Sequence, residues 1–181
     1  LAVNGGKAEA VRQGLLQVLG GPWPIVGYFD ADLATPPSEM RRMLRVLINS
    51  DADVVLGSRV AMLGRSIERS HVRHYLGRVF ATAASTILDL RVYDTQCGAK
   101  LMRRTPALVE ALAQPFLSRW VFDVELLAPL MGRLGDEPHW EDERFLEVPV
   151  HAWRDESGST LRVPSMAGRL AQRRRLSRHR W

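Results

Sequence analysis

Lysine and cysteine are nearly missing from this 181-residue chain: two lysines, Lys7 and Lys100, and one cysteine, Cys97. A single thiol excludes an internal disulfide framework and says little about compartment. No apolar run approaches the roughly 20 residues that cross a bilayer as a helix. The opening, Leu1-Ala2-Val3-Asn4, has neither an initiator methionine nor the pattern of a signal peptide. His71, His74, His139, His151 and His179 have no metal-ligand spacing, so zinc is not expected. Acids are absent from 162–181, where seven arginines fall. Setting those seven aside turns a net charge of +5 into −2, so the basic character belongs to a tail. Such a tail suits a solvated helix, an anionic lipid surface or nucleic acid. It has Trp181 but no aromatic interleaving of the single-strand-binding kind, and nucleic acid ranks last.

What is present describes a globular domain. Hydrophobic residues make up 46% and charged residues 25%, enough for one real core. Apolar spacing predicts a helix over 8–19, ended by Gly20-Gly21-Pro22. Ile25-Val26-Gly27-Tyr28-Phe29 reads as a buried strand. Ser38 is placed to cap a helix running to Ile48, with Met40, Met43, Leu44 and Leu47 on one stripe. A strand over 53–56 feeds Gly57-Ser58-Arg59, and 61–70 reads as a polar loop. The strongest amphipathic helix is 72–90; Arg69, Arg73, His74 and Arg78 flank its apolar stripe and keep a membrane-surface role open. Asp94-Thr95-Gln96-Cys97-Gly98 is a turn-like break before a strand over 99–103. Helices follow at 106–114 and about 121–133, then an edge strand over 147–153 around Pro149. Strands alternating with helices imply an α/β domain with a largely parallel sheet.

Several segments carry chemistry. Asp30-Ala31-Asp32 closes a strand and can turn two carboxylates toward one divalent cation, which would share its site with phosphates. An Asp-rich turn is the plainer alternative. Asn4-Gly5-Gly6-Lys7 precedes a helix start, an anion-favouring place, but lacks P-loop spacing. Arg59 follows a strand and can bind phosphate or simply face solvent. Asp123 and Glu125 stand in a first helical turn, as a general base or as dipole partners. Trp153 and Arg154 precede Gly158-Ser159 and can close over a ligand or pack an edge.

Taken in order, these segments resemble the dolichyl-phosphate β-glucosyltransferases, family 2 glycosyltransferases of the GT-A fold. The resemblance rests on Asn4-Gly5-Gly6-Lys7 through Gly14, Asp30-Ala31-Asp32, Gly57-Ser58-Arg59, Asp94 through Lys100, Arg119 through Leu127, and 150–153 with Gly158-Ser159. It covers 4 to about 163. It implies a three-layer GT-A (Rossmann-like) sandwich over 1–163, and 164–181 is set apart as a basic C-terminal helix or tail. It further implies transfer of a sugar, glucose first, from a UDP-sugar to a dolichyl or polyprenyl phosphate with inversion, aided by Mg²⁺ or Mn²⁺. The alternatives are another family 2 transferase with a mannosyl donor or different acceptor, or an inactive fragment that binds a membrane or partner.

By the same resemblance Lys7, Arg12, Asp30 and Asp32 approach the nucleotide sugar, with Asp32 and Asp30 on the metal. Arg59 and Arg73 meet phosphate. Gln96, Trp153 and Arg154 belong to the acceptor side, and Asp123, then Glu125, to catalysis. The acceptor phosphate is already an anion, so Asp123 can orient rather than deprotonate. The expected place is the cytoplasmic face of a membrane, held peripherally through the tail and the 72–90 helix. Related mannose synthases carry a glutamine ligand where this chain has Ala34. The Pro-x-Tyr-Asn-Glu and Asp-Gly-Ser segments that open the family have no counterpart here, so the first strands are missing and a longer parent is expected. These 181 residues alone are therefore expected to bind UDP-glucose poorly; tight binding by calorimetry would refute this.

Overall fold

In the computed structural model, residues 4–60, 62–64, 66–68, 92–118, 121–131 and 144–154 are described. The predicted helix 72–90 with Arg73, the tail, and Arg119 and Trp120 lie outside them. In chain order come α1 (Gly6–Leu19), β1 (Ile25–Phe29), α2 (Pro37–Ile48), β2 (Val54–Ser58) and β3 (Ser66–Glu68). They are followed by β4 (Ala99–Arg103), α3 (Pro106–Ala111), α4 (Phe122–Met131), β5 (Phe145–Pro149) and β6 (Ala152–Arg154). Strands β1, β4, β2 and β5 form one sheet in that spatial order. The pairs β1–β4 and β2–β4 are antiparallel and β2–β5 is parallel. Three strands therefore point one way, as the α/β reading expects, and β4 alone runs against them.

Alternation along the strands splits the core in two. Val26, Val54, Leu56, Met102 and Phe145 face α1, α3 and α4 through Leu15, Leu19, Leu108 and Leu127. Val55, Ala99, Leu101 and Val148 face α2 through Met43 and Leu47, with Cys97 among them. Helices on both faces of one sheet give the three layers of the fold.

Local chemistry explains most element limits. Thr105 caps α3 by accepting from Leu108 N at 3.2 Å, and Pro106 supplies a helix-ready first residue. Ser38 does not cap α2: Pro36 holds the cap position and Pro37, with no N–H to satisfy, starts the helix. The predicted 147–153 strand divides at Val150 and His151 into β5 and β6. Strand β3 falls inside the segment expected as loop; it pairs in parallel with β6, Ile67 opposite Trp153. Neither piece has the periodicity of a longer strand, so only the pairing reveals them. Among the described residues no helix is long and apolar enough to cross a membrane.

Burial pushes the Cys97 thiol up to about 12, with Asp94 adding to the effect and Arg59 and Lys100 opposing it. The unfolded thiol ionises near its ordinary value of about 8.5. The unfolded chain thus loses this proton first, and stability falls as pH rises from there toward about 12. The contribution is up to ~1.4 kcal/mol per pH unit. Burial and Asp123 raise Tyr28 well above its usual value, which acts in the same sense at higher pH. Denaturant titrations between pH 8 and 10 should show a shallower loss for Cys97→Ala than for the parent sequence; equal slopes would contradict the buried thiol.

Candidate active site at the carboxyl end of the sheet

One end of the sheet gathers the chemistry. There β1 runs out at Asp30, β2 at Arg59 and β5 at Val150, while reversed β4 enters from Gly98. Asp30 N donates to Gly98 O at 2.8 Å, and Val150 N to Ser58 O at 2.9 Å. Arg154 N donates to Ala34 O at 3.1 Å, which brings β6 against the loop after Asp32. In α/β sheets this is the end where ligands bind.

Lys7 and Asp30 meet across it. Asn4 Oδ1 accepts from Gly6 N at 2.9 Å, and Gly6 adopts φ +83°, a left-handed turn that favours glycine. That turn starts α1 and brings Lys7 Nζ to 2.6 Å from Asp30 Oδ1. The side chains keep 36% and 28% exposure, so the pair is open to solvent. Behind it Gly98 carries the Asp30 carboxylate: a Cβ there would overlap the carboxylate carbon and both oxygens. Asp32 is exposed, and its Oδ1 accepts from Ala34 N at 3.0 Å. Between them Leu33 sits at φ +59°, a strained conformation for a branched side chain. No three metal-ligating residues cluster among the described residues. Two hard carboxylates nonetheless suit a cation whose shell substrate phosphates and water complete.

Beside this pair stands a second one. Arg59 Nε and Nη2 reach Asp94 Oδ2 and Oδ1 at 2.6 and 2.8 Å, and its backbone N–H adds a third bond at 3.2 Å. The guanidinium lies over the Trp153 ring, 5.4 Å from its centre. Burial works against the Arg59 charge, but Asp94 more than offsets it and raises the pKa. Glu147 holds the loop that carries Asp94, accepting from Tyr93 N and Asp94 N at 2.7 Å each. Burial raises the Glu147 pKa, and those two N–H groups limit the rise. The Ser58 hydroxyl faces Glu147 without reaching hydrogen-bond geometry. Thr95 Oγ1 and Gln96 Nε2 are buried with no hydrogen-bond partner among the described residues.

The third pair is internal. Lys100 is fully buried; its Nζ donates to Asp123 Oδ1 and Cys97 O, both at 2.6 Å, and lies 5.3 Å from the Tyr28 ring centre. Tyr28 OH donates to the same Asp123 oxygen. Asp123, 3% exposed, thus anchors the core beneath the site instead of standing free as a base.

Two other expectations change. Glu125 accepts from Leu117 N and Ser118 N at 2.7 and 2.8 Å, fixing the loop ahead of α4 rather than facing substrate. Arg12 binds Glu9 and donates to Leu112 O at 2.8 Å, tying α1 to α3 away from Asp30. Asp30, Asp32, Lys7, Arg59, Gln96, Trp153 and Arg154 stay at the sheet end. The roles of Gly98, Tyr28, Lys100 and Glu147 were not read from the sequence. The rarity of lysine was the one available signal, and it marks Lys100.

Removing one partner of a buried ion pair costs about 3–5 kcal/mol, because the other charge stays desolvated. Asp123→Ala should therefore lose that much stability in urea melts, while Asp123→Leu combined with Lys100→Met should lose far less. Equal losses would show that the pair is not the anchor.

Comparison with known proteins agrees with this geometry. The glycosyl transferase family 2 profile matches residues 1–108. A dolichyl-phosphate beta-glucosyltransferase of Saccharomyces cerevisiae is 30% identical, covering 87% of this chain and 47% of its own length. One from Trichomonas vaginalis is 30% identical, over 90% of this chain and 46% of its own. One from Mus musculus is 34% identical, over 70% and 40%. The chain spans about half the length, or less, of these relatives. With the profile matching more than half of its residues, the chain belongs to glycosyl transferase family 2.

Proposed function

We propose that the protein transfers glucose from UDP-glucose to a dolichyl or other polyprenyl phosphate, with inversion at the anomeric carbon. The observation that carries this reading is the seating of Asp30 on Gly98. It joins the Asp30-Ala31-Asp32 segment to the Asp94–Gly98 loop at one sheet end, and the resemblance to the glucosyltransferases rests on both segments. The names of the relatives supply the acceptor class.

The residues divide the work by charge. Lys7 and Arg59 offer cationic groups to phosphate oxygens. Arg59 uses Nε and Nη2 on Asp94 and keeps Nη1 for a ligand. Thr95 Oγ1 and Gln96 Nε2, buried and unpartnered among the described residues, suit the hydroxyls of a sugar. An acceptor phosphate oxygen attacks C1 opposite the leaving diphosphate; the new C1–O bond forms as the bond to UDP breaks. That oxygen is already anionic, so Asp123 need not take a proton, consistent with its engagement by Lys100 and Tyr28. Asp30 and Asp32 would hold Mg²⁺ or Mn²⁺, which neutralises charge on the leaving diphosphate. Trp153, under the Arg59 guanidinium, fixes the direction of that side chain.

A membrane-surface setting fits the acceptor. Leu33, Met62 and Leu63 are 64%, 51% and 104% exposed, on loops that follow the carboxyl ends of β1 and β2. Apolar tips beside a lipid-phosphate site favour an interfacial position.

UDP release from UDP-glucose and dolichyl phosphate by the protein tests the reading. It should require a divalent cation and fall by about 100-fold or more in Asp32→Ala. Undiminished turnover in that variant would sink the assignment of Asp32, and no turnover with any polyprenyl phosphate would sink the reaction.

A further inference from the structure

We infer that Lys7 is an exchangeable counter-ion on Asp30, which keeps free divalent metal off the site until a nucleotide diphosphate arrives. The inference rests on the metal-assisted reading above. Its basis is positional. The Asp30 carboxylate lies against Gly98, in space that a Cβ there would fill, and Asp30 N is bonded to Gly98 O, which holds the Asp30 backbone at this loop. Lys7 Nζ occupies Oδ1 at 2.6 Å, the distance of a charge-assisted bond. A cation approaching that oxygen must displace the ammonium.

The three ion pairs at this end differ in how readily they exchange. Lys100–Asp123 has side chains 0% and 5% exposed, and Arg59–Asp94 14% and 8%. Lys7–Asp30, at 36% and 28%, is the most open of the three. A solvated ion pair of this sort is weak enough to break for a better partner. Lysine suits the task, being a compact charge on a flexible stem in the first turn of α1. A diphosphate supplies what free metal lacks: anionic oxygens that accept the displaced Lys7 ammonium and fill the remaining coordination positions. Lys7 therefore leaves Asp30 for phosphate, and Asp30 becomes a ligand in the same event. Metal and nucleotide then bind with positive cooperativity, each favouring the state the other needs.

Mn²⁺ binding to the parent sequence and its variants, followed by the loss of the free-ion electron paramagnetic resonance signal, tests this without turnover. The parent should bind Mn²⁺ weakly alone and much more tightly with UDP. Lys7→Met should bind Mn²⁺ alone about fivefold tighter, the order expected on removing a partly exposed ion-pair competitor. It should also show less enhancement by UDP. Lys7→Arg should restore the parental pattern, and circular dichroism should report an unchanged fold for both variants. Equal Mn²⁺ affinity of the parent and Lys7→Met without UDP would overturn the counter-ion role while leaving the metal reading intact. If the parent binds no Mn²⁺ even with UDP, and Asp30→Asn changes nothing, the metal reading and this inference both fail.

Discussion

The buried Lys100 ammonium is the constraint around which the domain is arranged. An ammonium in the core is intolerable alone, so its bonds must be met wherever the chain can meet them. Asp123 meets one from the first turn of α4, the Cys97 carbonyl meets another from the loop entering β4, and the Tyr28 ring lies alongside from β1. The charge thereby ties the reversed strand, its neighbour and a helix from later in the chain. Hydrophobic contact alone would allow these elements to slide; the ion pair sets their register. The same bonds hold the loop that seats Asp30, so the core charge and the functional surface are two ends of one assembly.

Charge at the sheet end is graded from inside outward. Each of three acids meets a base, and the pairs pass from sealed, through largely covered, to open. Low polarity around the inner pair strengthens it and makes breaking it costly. Solvent around the outer pair weakens it and makes exchange easy. The gradient lets one family of contacts serve stability below and binding above. Glu147 belongs to the middle of this series: among the described residues it binds no cation, yet it sets the backbone of the loop that delivers Asp94 to Arg59.

Much of this was legible in the residues. The apolar run at 25–29 and the strand at 99–103 appear where the pattern put them, because each is short, continuous and bounded by turn residues. The Asp-Ala-Asp, Gly-Ser-Arg and Asp94–Gly98 segments do converge, as strand-end placement implies. Side-chain partners were not legible. Asp123 and Glu125 look alike as acids in a first helical turn, but one meets a buried lysine and the other two backbone amides. Arg12 looks available beside Lys7, but Glu9 one turn earlier and the end of α3 claim it. Those outcomes depend on long-range pairing, which periodicity does not encode. The reversed direction of β4 belongs to the same class.

That reversal has an architectural consequence. In a sheet whose strands all agree in direction, every loop entering a strand lies on the far side from the ligand. Here the segment ahead of β4 crosses to the working side, and the one after it, at Arg104 and Thr105, is sent to the opposite pole. Length changes before β4 therefore reshape the candidate site. Equal changes after it fall on the opposite pole, where diversification, a fused tag or an inserted domain leaves the spacing of those residues alone.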